Sequence, residues 1–241
     1  MPRIRDEVAR AETAAEIKKH ARQQLADKGT NGISLRGIAR AMDMTAPAIY
    51  NYFPRLDDLI TALLVDAFNG HADAMQNAVD SAETPVGQVI AALHAYRAWA
   101  LDHVSDFQLI YGNPIPGYEA PIEITVPLAS RPQELLARCL FAAYAHQPDA
   151  LPARYHNPPA SIVAHIESWL YDRFPEIKTF PNHMAVFYLM QTIWSRAHGV
   201  VMLEIHGHIG PSVGDVDTFY ANVIHDFLHD IGLSNDTHSL P

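Results

Sequence analysis

Residues 34–53, SLRGIARAMDMTAPAIYNYF, carry two short apolar stripes with an abrupt break between them, and no other stretch constrains the fold as much. Leu35, Ile38, Ala39 and Met42 fall at i, i+3, i+4 and i+7, one face of a helix. Ser34 stands before them as an N-cap. Asp43-Met44 interrupts the period, and Thr45 offers a second N-cap. Pro47 then falls in the first turn of a new helix, where a missing N–H costs little. Ile49 and Phe53, at i and i+4, hold that helix against the first. Thr45, Ala46, Pro47, Ala48 and Asn51 are left facing outward. A short helix with small residues at its tip and few charges fits deep in a major groove.

The charge distribution supports that reading only when the chain is divided. The 241 residues carry a net charge of −10. Residues 1–56 hold 10 Lys+Arg against 6 Asp+Glu, a net of +4, and residues 57–241 hold 7 against 21, a net of −14. A basic head on an acidic body suits a protein whose N-terminus alone touches phosphate. Hydrophobic residues at 49% allow a substantial core. A single cysteine, Cys139, excludes an intrachain disulfide and fits a reducing compartment. The charged N-terminus lacks a signal-peptide core, and no apolar run reaches the ~20 residues of a membrane helix. The expectation is a soluble cytoplasmic protein with no membrane contact.

Helical periodicity continues along the chain. A helix is predicted over 13–28, with Thr13-x-x-Glu16 as a capping box and Ala14, Ile17, Ala21 and Leu25 as its buried stripe. Gly29–Gly32 stops it. A long helix is expected from about Leu56 to Val79, with Asp57 and Asp58 complementing its dipole. Ser81–Pro85 marks a boundary. Further helices are expected at 86–103, 105–111, 128–146, 159–172, 183–206 and 213–231, with a Pro/Gly-rich connection at 112–127 and a break at Gly207–Gly214. No segment alternates as a strand would. The fold class is all-α.

With these residues on the page, the N-terminal part resembles the TetR family of bacterial transcriptional regulators. The resemblance rests on Gly29, Ser34, Ile38-Ala39, Thr45, Tyr50-Asn51-Tyr52-Phe53 and Asp57-Asp58-Leu59, and covers roughly residues 10–65. Trp194, His198 and Gly199, with GNPIPGYEAP, resemble a C-terminal subgroup labelled WHG. Two positions depart from the family pattern. Asp43 stands where Gly is common at the turn, and Asp tolerates a left-handed backbone better than most residues. Leu56 stands where a phosphate-binding Lys is common, with Arg55 its nearest substitute.

The resemblance implies a helix-turn-helix, three-helix DNA-binding domain over 1–56. It also implies a helical ligand-binding and dimerisation domain over 57–235, with helix 56–79 linking the two. It implies a homodimer on a palindromic double-stranded operator, released by a small, mostly hydrophobic effector. On that reading Tyr50, Tyr52 and Arg36 or Arg55 meet phosphates, while Thr45, Ala46, Pro47, Ala48 and Asn51 face bases. Candidate effector contacts are Tyr96, Trp99, Phe107, Tyr111, Trp194 and His198, spaced at i, i+3 or i, i+4 along their helices; plain core packing is the alternative for each. Val186, Leu189, Met190, Ile193 and Ala197, with Phe219, Val223, Phe227 and Ile231, are expected to pair with their copies in a four-helix bundle.

Rival readings are weaker. His225 and His229 share a helical face that can bind zinc, but no third ligand stands at defined spacing; Glu204, His206 and His208 also carry ligand-type groups, but His206 and His208 straddle a glycine-rich break, where helix capping is the reading. Neither a metal nor any other cofactor is expected. No nucleophile elbow or phosphate-binding glycine loop points to an enzyme. A helical architectural DNA-binder without ligand response remains the alternative.

Overall fold

The computed structural model describes residues 2–173, 175–180 and 182–233. Every regular element among them is helical: α1 (Pro2–Lys28), α2 (Leu35–Ala41), α3 (Ala46–Tyr50), α4 (Leu56–Asp80), α5 (Pro85–Asp102), α6 (Val104–Tyr111), α7 (Ile122–His146), α8 (Ala160–Arg173), α9 (His183–Ile205), α10 (Gly210–Val213) and α11 (Val216–Asp230), with three short 3-10 turns. The chain divides into two compact units, Met1–Gly70 with His103–Ala129, and His71–Asp102 with Ser130–Pro241. Helices α4 and α7 contribute to both. No helix of the described residues is long and apolar enough to cross a membrane.

In the first unit, Ile17, Ala21, Ile38, Ile49, Leu59 and Leu63 are buried in one apolar cluster, with Phe53 and Phe68 at its edge. Two cations of α1 and two carboxylates tie its helices together. Arg22 Nε donates to both Asp106 oxygens of α6, at 2.8 and 2.9 Å, and Lys18 Nζ lies 2.6 Å from Asp66 of α4. In the second unit, α5 packs against α9 and α11. There Tyr220 donates to the Leu93 carbonyl at 2.7 Å, and Arg97 holds Glu204 at 2.6 and 2.7 Å and Asp217 at 2.7 Å.

Four expectations are corrected. Helix α1 runs through the supposed capping box, and the Thr13 hydroxyl donates back to the Ala9 carbonyl at 2.9 Å instead of starting a helix. Helix α7 begins at Ile122, so the connection is 112–121 and Pro127 lies inside the helix. The Pro121 carbonyl accepts from the Ile124 and Thr125 N–H groups and the Thr125 hydroxyl, which secures the first turn before Pro127 removes a bond. The Gly207–Gly214 break contains the short helix α10. Finally, Val186, Leu189, Met190, Ile193 and Ala197 of α9 are all fully buried within the chain, as are Phe227 and Ile231 of the second expected stripe, whereas its Phe219 and Val223 are half-buried. That stripe faces its own core, because α5 and α11 already cover it, and so it is not open to a second copy.

Candidate nucleic-acid interface and cavities

The helix-turn-helix is built locally. The Ser34 hydroxyl accepts from the Gly37 N–H at 3.2 Å, capping α2, while the Ser34 N–H donates to Gln24 Oε1 of α1 at 3.0 Å. The turn after α2 depends on Asp43, whose φ of 53° is left-handed. The Asp43 N–H donates to the Arg40 carbonyl and the Met44 N–H to the Ala39 carbonyl, the paired bonds of a Schellman ending. Asp43 therefore does what the family's glycine does. Met44 packs onto the core beyond the turn. The cap of α3 differs from expectation. Thr45 makes no side-chain cap, and its carbonyl alone accepts from the Ala48 N–H at 3.0 Å.

Ile49 is fully buried and Phe53 nearly so, which fixes α3 against α2. Thr45, Ala46, Pro47 and Asn51 are exposed, Ala48 is half-buried, and Tyr50 is 39% exposed. Arg36 is exposed on α2, and Tyr52 is half-buried. Arg55 is exposed and already engaged: its backbone N–H and its Nη2 each lie 2.9 Å from an Asp58 oxygen. That pairing raises the Arg55 pKa and lowers that of Asp58. A phosphate would have to compete with Asp58 for this guanidinium. Reading the sequence alone missed Arg10. Its Nη2 donates to the Asn51 carbonyl at 3.0 Å, and its guanidinium lies 5.8 Å from the Tyr52 ring centre, so α1 reaches across to the end of α3. A start for α1 before residue 10 would have revealed it.

The first unit also holds two hollows, and Tyr118 borders both. One, of about 790 Å3, is bordered by Arg55, Asp57, Asp58, Thr61 and Glu119. The other, of about 380 Å3, is bordered mostly by apolar groups of α4, α6, α7 and the 112–121 connection, with Asn113 and Thr125 also lining it. The second unit has an apolar hollow of about 270 Å3 between Phe141, Tyr144, Leu151 and Phe180.

The six effector candidates do not form one group within a unit. Phe107 and Tyr111 belong to the first unit, their rings 4.9 Å apart. Tyr96, Trp99, Trp194 and His198 belong to the second. There Tyr96 Oη and His198 Nδ1 share a 2.7 Å hydrogen bond whose direction follows the imidazole tautomer, and Trp194 stacks on His198 at 5.2 Å. His71 joins this group, fully buried with its ring 4.7 Å from Tyr96 and 4.8 Å from Trp99. Burial, reinforced by His198, lowers its pKa to about 3. Burial also lowers the pKa of His198. A lone histidine within the apolar run of α4 was the available signal for His71. Burial pushes the Cys139 thiol up to about 11, which disfavours the nucleophilic thiolate. Among the described residues no three His, Cys, Asp or Glu side chains come together as metal ligands would.

An all-helical chain with a capped helix-turn-helix and a small-residue α3 tip in a basic segment defines a DNA-binding regulator. Comparisons with known proteins agree. Residues 17–63 match the model described as bacterial regulatory proteins, tetR family, and residues 89–227 match the tetracyclin repressor-like C-terminal domain. HTH-type transcriptional regulators of Mycobacterium bovis and Mycobacterium tuberculosis are 32% identical over 204 residues, 84% of each chain. The crystal structure of the regulatory protein SCO4313 is similar over 92% of this chain and 98% of that one, with a TM-score of 0.74 and 32% identity. A tetR-family protein from Rhodococcus RHA1, 17% identical with a TM-score of 0.62, covers 92% of this chain and 98% of its own and shares the fold. The chain belongs to the TetR family of DNA-binding transcriptional regulators.

Proposed function

We propose that the protein is a cytoplasmic, ligand-responsive repressor that acts by binding rather than catalysis, as a homodimer on a palindromic operator. The observation that carries this reading is the α3 tip: Thr45, Ala46, Pro47 and Asn51 are exposed while Ile49 anchors the helix from behind. Two such tips would enter successive major grooves about 34–36 Å apart, or more widely if the heads are spread. Tyr50 and Tyr52 would donate to phosphates, as would Arg36 or Arg55, and Asn51 would read adenine. The acidic body would repel the duplex and keep contact to the heads.

With the apolar face of α9 in its own core, the dimer would form through the opposite faces of α9 and α11. Thr192, Ser195, Gly199, Leu203 and His206 lie along that face of α9, and Leu203 is 43% exposed. The effector would act by binding one head spacing better than the other, with α4 as the lever. Tyr96, Trp99, Trp194 and His198 remain proposed effector contacts within the second unit, and Phe107 and Tyr111 proposed contacts within the first.

Fluorescence anisotropy on the DNA flanking the protein's own gene, at ~0.15 M salt, tests the reading. Tight binding to that DNA, weak binding to scrambled DNA and loss in Tyr50→Ala support it. Equal, weak and steeply salt-dependent binding to both DNAs would leave only phosphate attraction and defeat it. Sedimentation of the free protein as a monomer at micromolar concentration would defeat the dimer.

A further inference from the structure

The buried stripe of α1, Ala14, Ile17, Ala21 and Leu25, continues toward the N-terminus, and its next position, one turn before Ala14, is Arg10. Ile17 and Ala21 are fully buried, Ala14 is half-buried and Arg10 is exposed. The core ends before the stripe does, so Arg10 reaches past its rim onto the end of α3. There Nη2 donates to the Asn51 carbonyl at 3.0 Å, and the guanidinium carbon lies 5.8 Å from the Tyr52 ring centre.

These two partners hold the side chain without cancelling its charge. A carbonyl and a phenol ring are neutral, and the carbonyl takes one of the five N–H donors of a guanidinium. Arg22 and Arg55 of the same unit are in a different state, the first held by Asp66 and Asp106 and the second by Asp58. A guanidinium that keeps its charge, is fixed at one point and has further donors is prepared for an anionic acceptor. Part of the entropy of ordering a long side chain is already lost before that acceptor arrives.

Position selects the anion. The bond goes to the main chain of Asn51, so the side chain proposed to read a base is not consumed. Five residues make α3 about 7.5 Å long, and the major groove is about 12 Å wide. No point of a helix lying in that groove is more than about 6 Å from one of its phosphate walls. Arg10 stands at the end of α3 opposite the Thr45-Ala46-Pro47 tip, on a helix outside the helix-turn-helix.

We propose that Arg10 is a DNA-backbone anchor outside the helix-turn-helix: its guanidinium, set by the Asn51 carbonyl and the Tyr52 ring, donates to a phosphate at the groove wall and so fixes how α3 enters. This rests on the reading of α3 as the helix that enters the groove, and it makes α1 part of the DNA-contacting surface.

The test is fluorescence anisotropy of the full chain at several salt concentrations on two short duplexes, one from the DNA flanking the protein's own gene and one of scrambled sequence. In Arg10→Gln the lost phosphate contact should lower the slope of log K against log salt by about 0.9 for each head bound, and weaken binding about tenfold per head, on both duplexes alike. Arg10→Lys, which keeps the charge, should recover most of the slope. A side chain that only braced α3 would lower affinity for the flanking duplex alone and leave the slope unchanged, since no counter-ion release is lost. Circular dichroism checks folding, and Arg10→Ala, a good helix former, repeats the measurement if the glutamine variant does not fold. An unchanged slope in the folded glutamine or alanine variant, or a lysine variant no better than glutamine, would overturn the proposal. If the unaltered protein binds the flanking duplex specifically while Arg10→Gln matches it, the anchor falls and the regulator reading stands. If the unaltered protein binds both duplexes equally, the regulator reading falls and the slope still decides the anchor. Binding to neither duplex defeats both.

Discussion

Replacing Asp106 by Asn tests what holds the DNA-binding head to the helices behind it. Asp106 is buried to 9% exposure and accepts both hydrogen bonds of Arg22 Nε, and Arg22 is 30% exposed. Around them, Lys18 and Arg22 of α1 face Asp66 of α4 and Asp106 of α6, two cations against two anions. The substitution keeps the volume but leaves both cations facing one carboxylate. A hydrogen bond to a charged group contributes about 1.5–3 kcal/mol, and breaking a fully buried pair costs about 3–5 kcal/mol. This pair lies nearer the lower range, since Arg22 reaches solvent and keeps Asp66 at 3.4 Å. A loss of about 2 kcal/mol follows, or roughly 4–8 °C in Tm for a chain of this length.

The assay is urea and thermal unfolding followed by circular dichroism, run as a double-mutant cycle with Arg22→Met. A coupling of about 1.5 kcal/mol is expected, since each single change already removes the shared bonds. Glu16→Gln is the control. Its partner Lys19 is 75% exposed, so Tm should stay within the scatter of the measurement. Additivity within about 0.5 kcal/mol would refute the reasoning, because the two side chains would then act as independent surface groups.

Three further outcomes are expected. His71 has a folded pKa of about 3 against an ordinary value of 6.5, so the unfolded chain binds the extra proton between those limits and stability falls as pH falls. About 1 kcal/mol should be lost between pH 6 and pH 5 from this group, and His71→Leu should flatten that part of the urea-midpoint profile. At exposed Asp43 the left-handed backbone should decide stability: Asp43→Gly should raise Tm slightly, and Asp43→Val should lower stability by about 1 kcal/mol or more in thermal melts. Gly207, with φ 69° and open space around a Cβ, should cost about 1 kcal/mol on change to Ala through the backbone alone, read as a lower urea midpoint.

Where the sequence was legible, one local force decided the outcome. The α2 stripe, the Ser34 cap and the burial of Ile49 and Phe53 all depend on residues within a turn or two of one another, and all three are in the structure. Asp43 was legible for the same reason: a polar residue breaking a helical period can take the left-handed turn without tertiary help. The errors share the opposite cause. Thr13 looks like a cap only if the residues before it are not helical, and Pro127 looks like a stop only if nothing secures the turn before it. In the structure the carbonyls of Ala9 and Pro121 settle both cases.

The α9 stripe shows the limit most clearly. Val186, Leu189, Met190, Ile193 and Ala197 have the period of a helix that buries one face. Period alone cannot say whether the cover is α5 and α11 of the same chain or a second copy, because both present the same apolar surface. Their complete burial within one chain answers that question and moves the search for a dimer face to Leu203 and its neighbours. Tyr118 was illegible for a related reason. The Pro-Gly turn could be read from the sequence, but its delivery of a phenol to Thr61, more than fifty residues away in sequence, is a product of how α4, α6 and α7 pack.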